Sequence, residues 1–97
     1  MRIIAKKQLR EFWQTHADSE QALKSWHSIA VKADWATPQE IKNHFPKVSV
    51  ISDNRAVFDI VGGSYRLVVK FNYPYRIGYI RFIGTHTEYD AIDSGEV

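Results

Sequence analysis

The side chains with the most chemical reach lie in one stretch, residues 54–90, NRAVFDIVGGSYRLVVKFNYPYRIGYIRFIGTHTEYD. Its middle run, 64–72, puts Tyr65, Leu67, Val69 and Phe71 at odd positions and Arg66, Lys70 and Asn72 at even ones. Side chains alternate across a strand, so the first set can cover a core while the second meets solvent or a ligand. Arg66 and Lys70 then stand roughly 13 Å apart on one face, at about 3.3 Å of rise per residue. That spacing suits neighbouring phosphates along a nucleic-acid strand better than a joint grip on one phosphate. Further on, Tyr79, Arg81 and Ile83 share a parity, and Ile80 and Phe82 share the other. Arg81 can therefore join Arg66 and Lys70. Before the glycines, Arg55, Val57 and Asp59 share a parity. A concave face carrying Arg55, Arg66, Lys70 and Arg81 would make a basic groove with His86 at its edge.

His86 stands out by its neighbours, in the sequence Gly84-Thr85-His86-Thr87-Glu88-Tyr89-Asp90. Histidine exchanges a proton near neutral pH, and a tyrosine or aspartate beside it can orient it or share the task. The same residues also read as a helix start, with Thr85 or Thr87 as cap and Glu88 and Asp90 as first-turn acids. Both readings can hold at once. Arginine can fork two hydrogen bonds to a phosphate, and a fixed cation stabilises a phosphorane-like transition state. RNA supplies its own nucleophile in the 2′-hydroxyl. A nuclease of that kind needs in-line positioning, a proton acceptor or donor, and cations. The same parts would also serve a domain that only binds.

Composition narrows the field. Ninety-seven residues predict one domain over 1–97, able to bury one core but not a deep substrate cavity as well. The net charge of +2 is modest, but residues 54–83 hold five Arg and Lys residues (Arg55, Arg66, Lys70, Arg76, Arg81) against one acid, Asp59. Such a basic stretch fits a polyanion partner, and it equally fits solubilising charges on an exposed sheet face. The absence of cysteine excludes disulfides, thiolate nucleophiles and Cys-ligated zinc. Histidines at 16, 27, 44 and 86 are dispersed, so no metal set and no cofactor are expected, and His16 and His27 read as surface or packing residues. No HExxH, Walker loop, GxSxG or strand-borne GxGxxG occurs. The start, MRIIAKKQLREFW, does not read as a signal peptide, and no stretch approaches a membrane span. The expected location is the cytoplasm.

The elements that must position these residues follow from periodicity. A short edge strand is predicted at 2–5, helices at about 6–16 and 19–33, and a third helix at 38–44 with Thr37 and Glu40 at capping-box spacing. Strands follow at 48–51, 55–61, 64–72 and 76–85, with Gly62-Gly63 as a hairpin turn. A short terminal helix is expected from His86 to about Ile92. The order β-α-α-α-β-β-β-β implies an α+β domain, an antiparallel sheet with helices packed on one face.

These residues also carry a family resemblance. Asn54-Arg55, Gly63 with YRLVVK, Asn72-Tyr73, YIRF and GTH followed by EYD resemble the HigB toxins of bacterial type II toxin–antitoxin systems, in the RelE/ParE superfamily. Upstream, Ala33-Asp34-Trp35, Pro38 and Ile41-Lys42 fit as well. The resemblance implies a RelE-like endoribonuclease that cuts mRNA without a metal, usually on translating ribosomes. It also implies neutralisation by a HigA-type helix-turn-helix antitoxin, with DNA contacted only through the antitoxin complex. Carried over by residue, Arg66 and Lys70 would hold the scissile phosphate and Arg81 would support it or bind RNA backbone. His86 with Tyr89 would move protons, and Arg55, Asn72, Arg76 and Asp90 would contact RNA. A ParE-like topoisomerase inhibitor and a non-catalytic RNA-binding module are the alternatives.

Overall fold

Strand β4 (Tyr65–Asn72) is the middle strand of a five-stranded sheet, and its alternation sets the two layers apart. In the computed structural model, which describes residues 1–97, β1 (Arg2–Ile4) is followed by α1 (Lys6–Thr15), a 3-10 turn at Ala17–Ser19, α2 (Glu20–Lys32) and α3 (Pro38–His44). Then come β2 (Ser49–Ile51), β3 (Arg55–Ile60), β4, β5 (Ile77–Thr85) and α4 (His86–Asp90). The strand order is β1-β5-β4-β3-β2. All neighbours run antiparallel except β1 and β5, which pair in parallel, a detail the short edge strand could not announce. The terminal helix stops at Asp90 rather than near Ile92. No helix is long and apolar enough to cross a membrane.

The helical layer forms because each helix presents an apolar stripe to the odd-numbered face of β4. Leu9 and Trp13 of α1, Leu23, Trp26 and Ala30 of α2, and Ile41 of α3 bury themselves against Phe58, Leu67, Val69 and Phe71. Aromatic edges carry much of this contact. Phe58 meets Trp26 at 5.3 Å and Phe45 at 5.2 Å, while Trp35 meets Phe71 at 5.9 Å between ring centroids. Trp35 Nε1 donates to His44 Nδ1 at 2.9 Å, so His44 packs the helix end instead of standing free at it. The capping box forms as its spacing predicts, with Glu40 N donating to Thr37 and the Glu40 carboxylate accepting from Thr37 N. The Met1 ammonium donates to the carbonyls of Ala30 (3.0 Å) and Ala33 at the end of α2. It thereby places a positive charge at the carbonyl end of α2, where the helix dipole favours it.

The alternation on β5 is interrupted. Val68 pairs with Phe82 and Val69 with Ile80, so Arg81 is an extra residue, a β-bulge. Tyr79 stays on the Lys70 side, but Ile83 turns to the core and Phe82 turns outward opposite Val68. The simple parity that put Tyr79, Arg81 and Ile83 on one face, and Ile80 with Phe82 on the other, does not survive the bulge. Removing the ring at the centre of the aromatic contacts tests the packing account. Phe58→Ala is expected to cost about 3–5 kcal/mol in urea unfolding. A loss below about 1 kcal/mol would show that the helices are held by something else.

Candidate functional site

The face of the sheet opposite α1–α3 carries the basic side chains, and it is partly covered. Val57 and Val68 lie on it, yet both are buried and neither belongs to the main core cluster. Helix α4 and the residues after it supply the cover. Thr85 caps α4, accepting from Glu88 N at 3.1 Å, while Glu88 Oε1 accepts from Thr85 N at 2.8 Å. Those bonds hold the Glu88 carboxyl below its usual range, the Thr85 backbone N–H first and its hydroxyl second. Gly84 makes the seat possible, because a Cβ there would come within 2.5 Å of the Phe82 ring and 3.0 Å of Glu88 Oε1. The His86 N–H then bonds the Ser64 carbonyl at 3.0 Å, tying α4 to the start of β4.

One group of predicted residues comes together here. The Arg66 guanidinium lies 5.9 Å from the centre of the Tyr89 ring, in cation–π range. It also donates to the Gly63 carbonyl and pairs with Asp59, Nε to Oδ1 3.2 Å. On α4, His86 Nδ1 lies 3.3 Å from Asp90 Oδ2, as i,i+4 neighbours do. With Nδ1–H directed to that carboxylate, Nε2 is left as the free ring nitrogen, able to accept a proton. His86 is more than half exposed, so a solute can reach it.

The other cations are placed and occupied differently. Lys70 Nζ lies 3.1 Å from Asp53 Oδ2, and Arg55 Nη1 bonds the same oxygen at 2.7 Å. Those two bonds, Arg55 first, hold the Asp53 carboxyl below its usual range. Arg55 is only 5% exposed, with Nε and Nη2 donating to the Val97 carbonyl at 3.1 and 2.8 Å. Arg81, exposed by the bulge, donates to the same carbonyl at 3.2 Å. Residues 93–97 thus reach back across the sheet, with Gly95 near Ser52. The open groove lined by Arg55, Arg66, Lys70 and Arg81 is instead a strip whose cations already have partners.

Asn72 and Arg76 belong elsewhere. They build the β4–β5 turn, about 20 Å along the strand from Arg66 at some 3.3 Å per residue. Asn72 Oδ1 accepts from Tyr75 N at 3.2 Å, and Arg76 Nε donates to Asp34 at 2.6 Å. The sequence reading missed the counter-ions Asp53 and Asp59. Asp59 was within reach, because counting outward from Gly62-Gly63 pairs it with Arg66. The Val97 contact leaves no such signal.

Asp53 and Glu88 set an acid limit that can be measured. A carboxyl whose folded pKa is depressed contributes stability above its unfolded value, about 4, and loses it as pH falls through the folded value. The urea midpoint is therefore expected to drop below about pH 4. Asp53→Asn, which tolerates the φ of +57° at that position, should flatten the drop. An equally steep drop in that variant would show that Asp53 is not responsible.

Comparison with known proteins adds to this geometry. A family model described as HigB toxin, RelE-like toxic component of a toxin–antitoxin system, matches residues 19–92. A relative named mRNA interferase HigB, from Escherichia coli O6:H1, is 26% identical over 94 residues, covering 95% of this chain and 91% of its own.

Proposed function

The chain belongs to the HigB toxin family of RelE-like toxic components, and from that premise we propose that it is an mRNA interferase. The observation that carries the reading is the grouping of Arg66 and Tyr89 beside the His86–Asp90 pair on the sheet face away from the three main helices. A single-stranded RNA laid across that face would place a phosphate at the Arg66 guanidinium. His86 Nε2 takes the proton of the adjacent 2′-hydroxyl as that oxygen attacks phosphorus. Asp90 holds the ring in the required tautomer and steadies the charge it gains. As the new 2′-O–P bond forms, the bond from phosphorus to the 5′-oxygen breaks, and the Tyr89 hydroxyl gives that oxygen its proton. Arg66 stabilises the extra negative charge of the phosphorane, where a preorganised cation is worth most. The products are a 2′,3′-cyclic phosphate and a free 5′-hydroxyl.

Lys70 and Arg81 then serve flanking phosphates, exchanging a carboxylate or a carbonyl for phosphate oxygens. Arg55 contacts RNA only after the Val97 carbonyl leaves it. Asn72 and Arg76 shape the distant turn, where they would contact RNA well away from the cleaved phosphate. The site is shallow and grips few nucleotides, which favours mRNA already held extended on the translating ribosome. The setting is the cytoplasm, with a HigA-type helix-turn-helix antitoxin as the neutralising partner and DNA met only through that complex. The reaction as drawn uses no metal or organic cofactor.

The test is induced expression in growing bacteria followed by mapping of new mRNA ends. Wild type should create ends within translated codons. Arg66→Ala should lower cleavage by roughly 10²–10³-fold, the usual cost of losing one preorganised transition-state donor. His86→Ala should lower it by roughly 10²–10⁴-fold, the span of general acid–base catalysis. Growth arrest without new ends would sink the interferase reading, and equal cleavage by all three proteins would remove both residues from the chemistry.

A further inference from the structure

Asp59 is the one exposed residue of β3, standing between buried Phe58 and buried Ile60. Its partner across the strand pair is Arg66. Residues directly opposite on antiparallel strands have Cβ atoms roughly 5 Å apart, close enough for opposite charges to meet. Asp59 Oδ1 lies 3.2 Å from Arg66 Nε. With the Asp59 side chain 42% exposed, such a pair adds little to stability. What it does to the direction of the guanidinium is another matter.

Arg66 is approached from three sides. Asp59 stands at Nε, the Gly63 carbonyl accepts from Nη1, and the centre of the Tyr89 ring lies 5.9 Å from Cζ. Gly63 can come so close because it has no side chain. At its φ of +93°, a Cβ would stand 3.1 Å from Arg66 Nη1. Nη2 makes no hydrogen bond within the chain and is the nitrogen left for a ligand. Lys70, the other cation of β4, is held less closely. Its side chain is twice as exposed, 38% against 19%, and it shares its one carboxylate with Arg55.

A long side chain loses rotamer freedom when it grips a reacting group. One already held in place loses less, and a fixed charge stabilises developing charge better than a mobile one. The carboxylate also weakens the attraction of Arg66 for a phosphate in the ground state. Both effects favour the transition state over uncut RNA. Resting on the interferase reading above, we propose that Asp59 is a positioning residue for Arg66. It turns the guanidinium so that Nη2 meets the scissile phosphate, and it keeps that cation beside Tyr89, which protonates the leaving oxygen. Asp59 itself touches neither the RNA nor the transferred protons.

Two readouts on the full-length protein test this. The first needs no RNA and is NMR relaxation of the Arg66 Nε–H. Its order parameter should stand above about 0.6 in wild type and fall well below that in Asp59→Ala. The urea midpoint should barely move, since the pair is exposed. The second is single-turnover cutting on mRNA-programmed ribosomes, set beside affinity for a 2′-O-methyl RNA oligonucleotide that cannot be cut. Asp59→Ala should cut about 10- to 100-fold more slowly. Its affinity for the uncuttable RNA should stay equal or rise about threefold, whereas a merely structural defect would lower both. Asp59→Asn keeps an oxygen beside Nε and should recover most of the rate. In an Arg66→Ala background, Asp59→Ala should change the rate by less than about twofold, because the two residues act as one. Unchanged Arg66 order in Asp59→Ala would overturn the proposal. So would faster cutting by that variant, or its full loss of rate appearing again on top of Arg66→Ala. A wild type that cuts no RNA would remove the proposed function alone. Loss of Arg66 order in Asp59→Ala would still support the positioning, and its persistence would still overturn it.

Discussion

One added residue on one strand governs the outer half of this molecule. Strand β4 has to present Leu67, Val69 and Phe71 to the helices and Arg66, Val68 and Lys70 to the other side. Beside it, β5 must end where α4 can fold back over Arg66. The bulge at Arg81 reconciles these demands. It shifts the face on which later residues of β5 point, so Phe82 lands outside, opposite Val68 and within 6.4 Å of the Tyr89 ring. A small outer layer results, of Val57, Val68, Phe82 and Tyr89. If Arg81 paired in register opposite Val68, Phe82 would fall opposite Leu67 and point into the helices, and α4 would lose the ring it packs on. One inserted residue re-aims the side chains around it, as bulges do.

The second organising feature is that the cations on this face already have polar partners within the chain. Asp59 answers Arg66, Asp53 answers Lys70 and Arg55, and the Val97 carbonyl answers Arg55 and Arg81. Apart from Arg55 these partners are partly exposed, and ion pairs in such settings hold weakly. They keep the side chains directed across the strip without locking them. On the proposed reading, a phosphate chain arriving with several charges would exchange for them at Lys70 and Arg81 and meet side chains already directed across the strip. Arg55 is the exception, buried and tied by three bonds, and it acts more as a brace for the β2–β3 turn than as a free hand.

How much of this was legible in the sequence depends on whether the signal was local. The first three helices, the Thr37 and Thr85 caps, the β3–β4 hairpin and the two-faced β4 all follow from residues near one another, and the structure has each close to where periodicity and turn chemistry put it, while α4 ends two residues early. The grouping of Arg66 with His86, Tyr89 and Asp90 was also within reach, because a strand followed at once by a capped turn leaves few places for α4 to go. The bulge was not, since Tyr79 to Ile83 reads as unbroken alternation and only pairing with β4 reveals the extra residue. Nor was the parallel β1–β5 pair, which joins opposite ends of the chain.

The central claim is that this face cleaves RNA by using the substrate's own 2′-hydroxyl. It is tested most directly by the chemistry of the ends. RNA fragments produced by the purified toxin on mRNA-programmed ribosomes would be probed for a 5′-hydroxyl and a 2′,3′-cyclic phosphate or its 3′-phosphate hydrolysis product. The account predicts those ends, and predicts that a 2′-deoxy substitution at the cleaved nucleotide abolishes cutting there. Fragments ending in 5′-phosphate and 3′-hydroxyl, or undiminished cutting at the deoxy position, would contradict it.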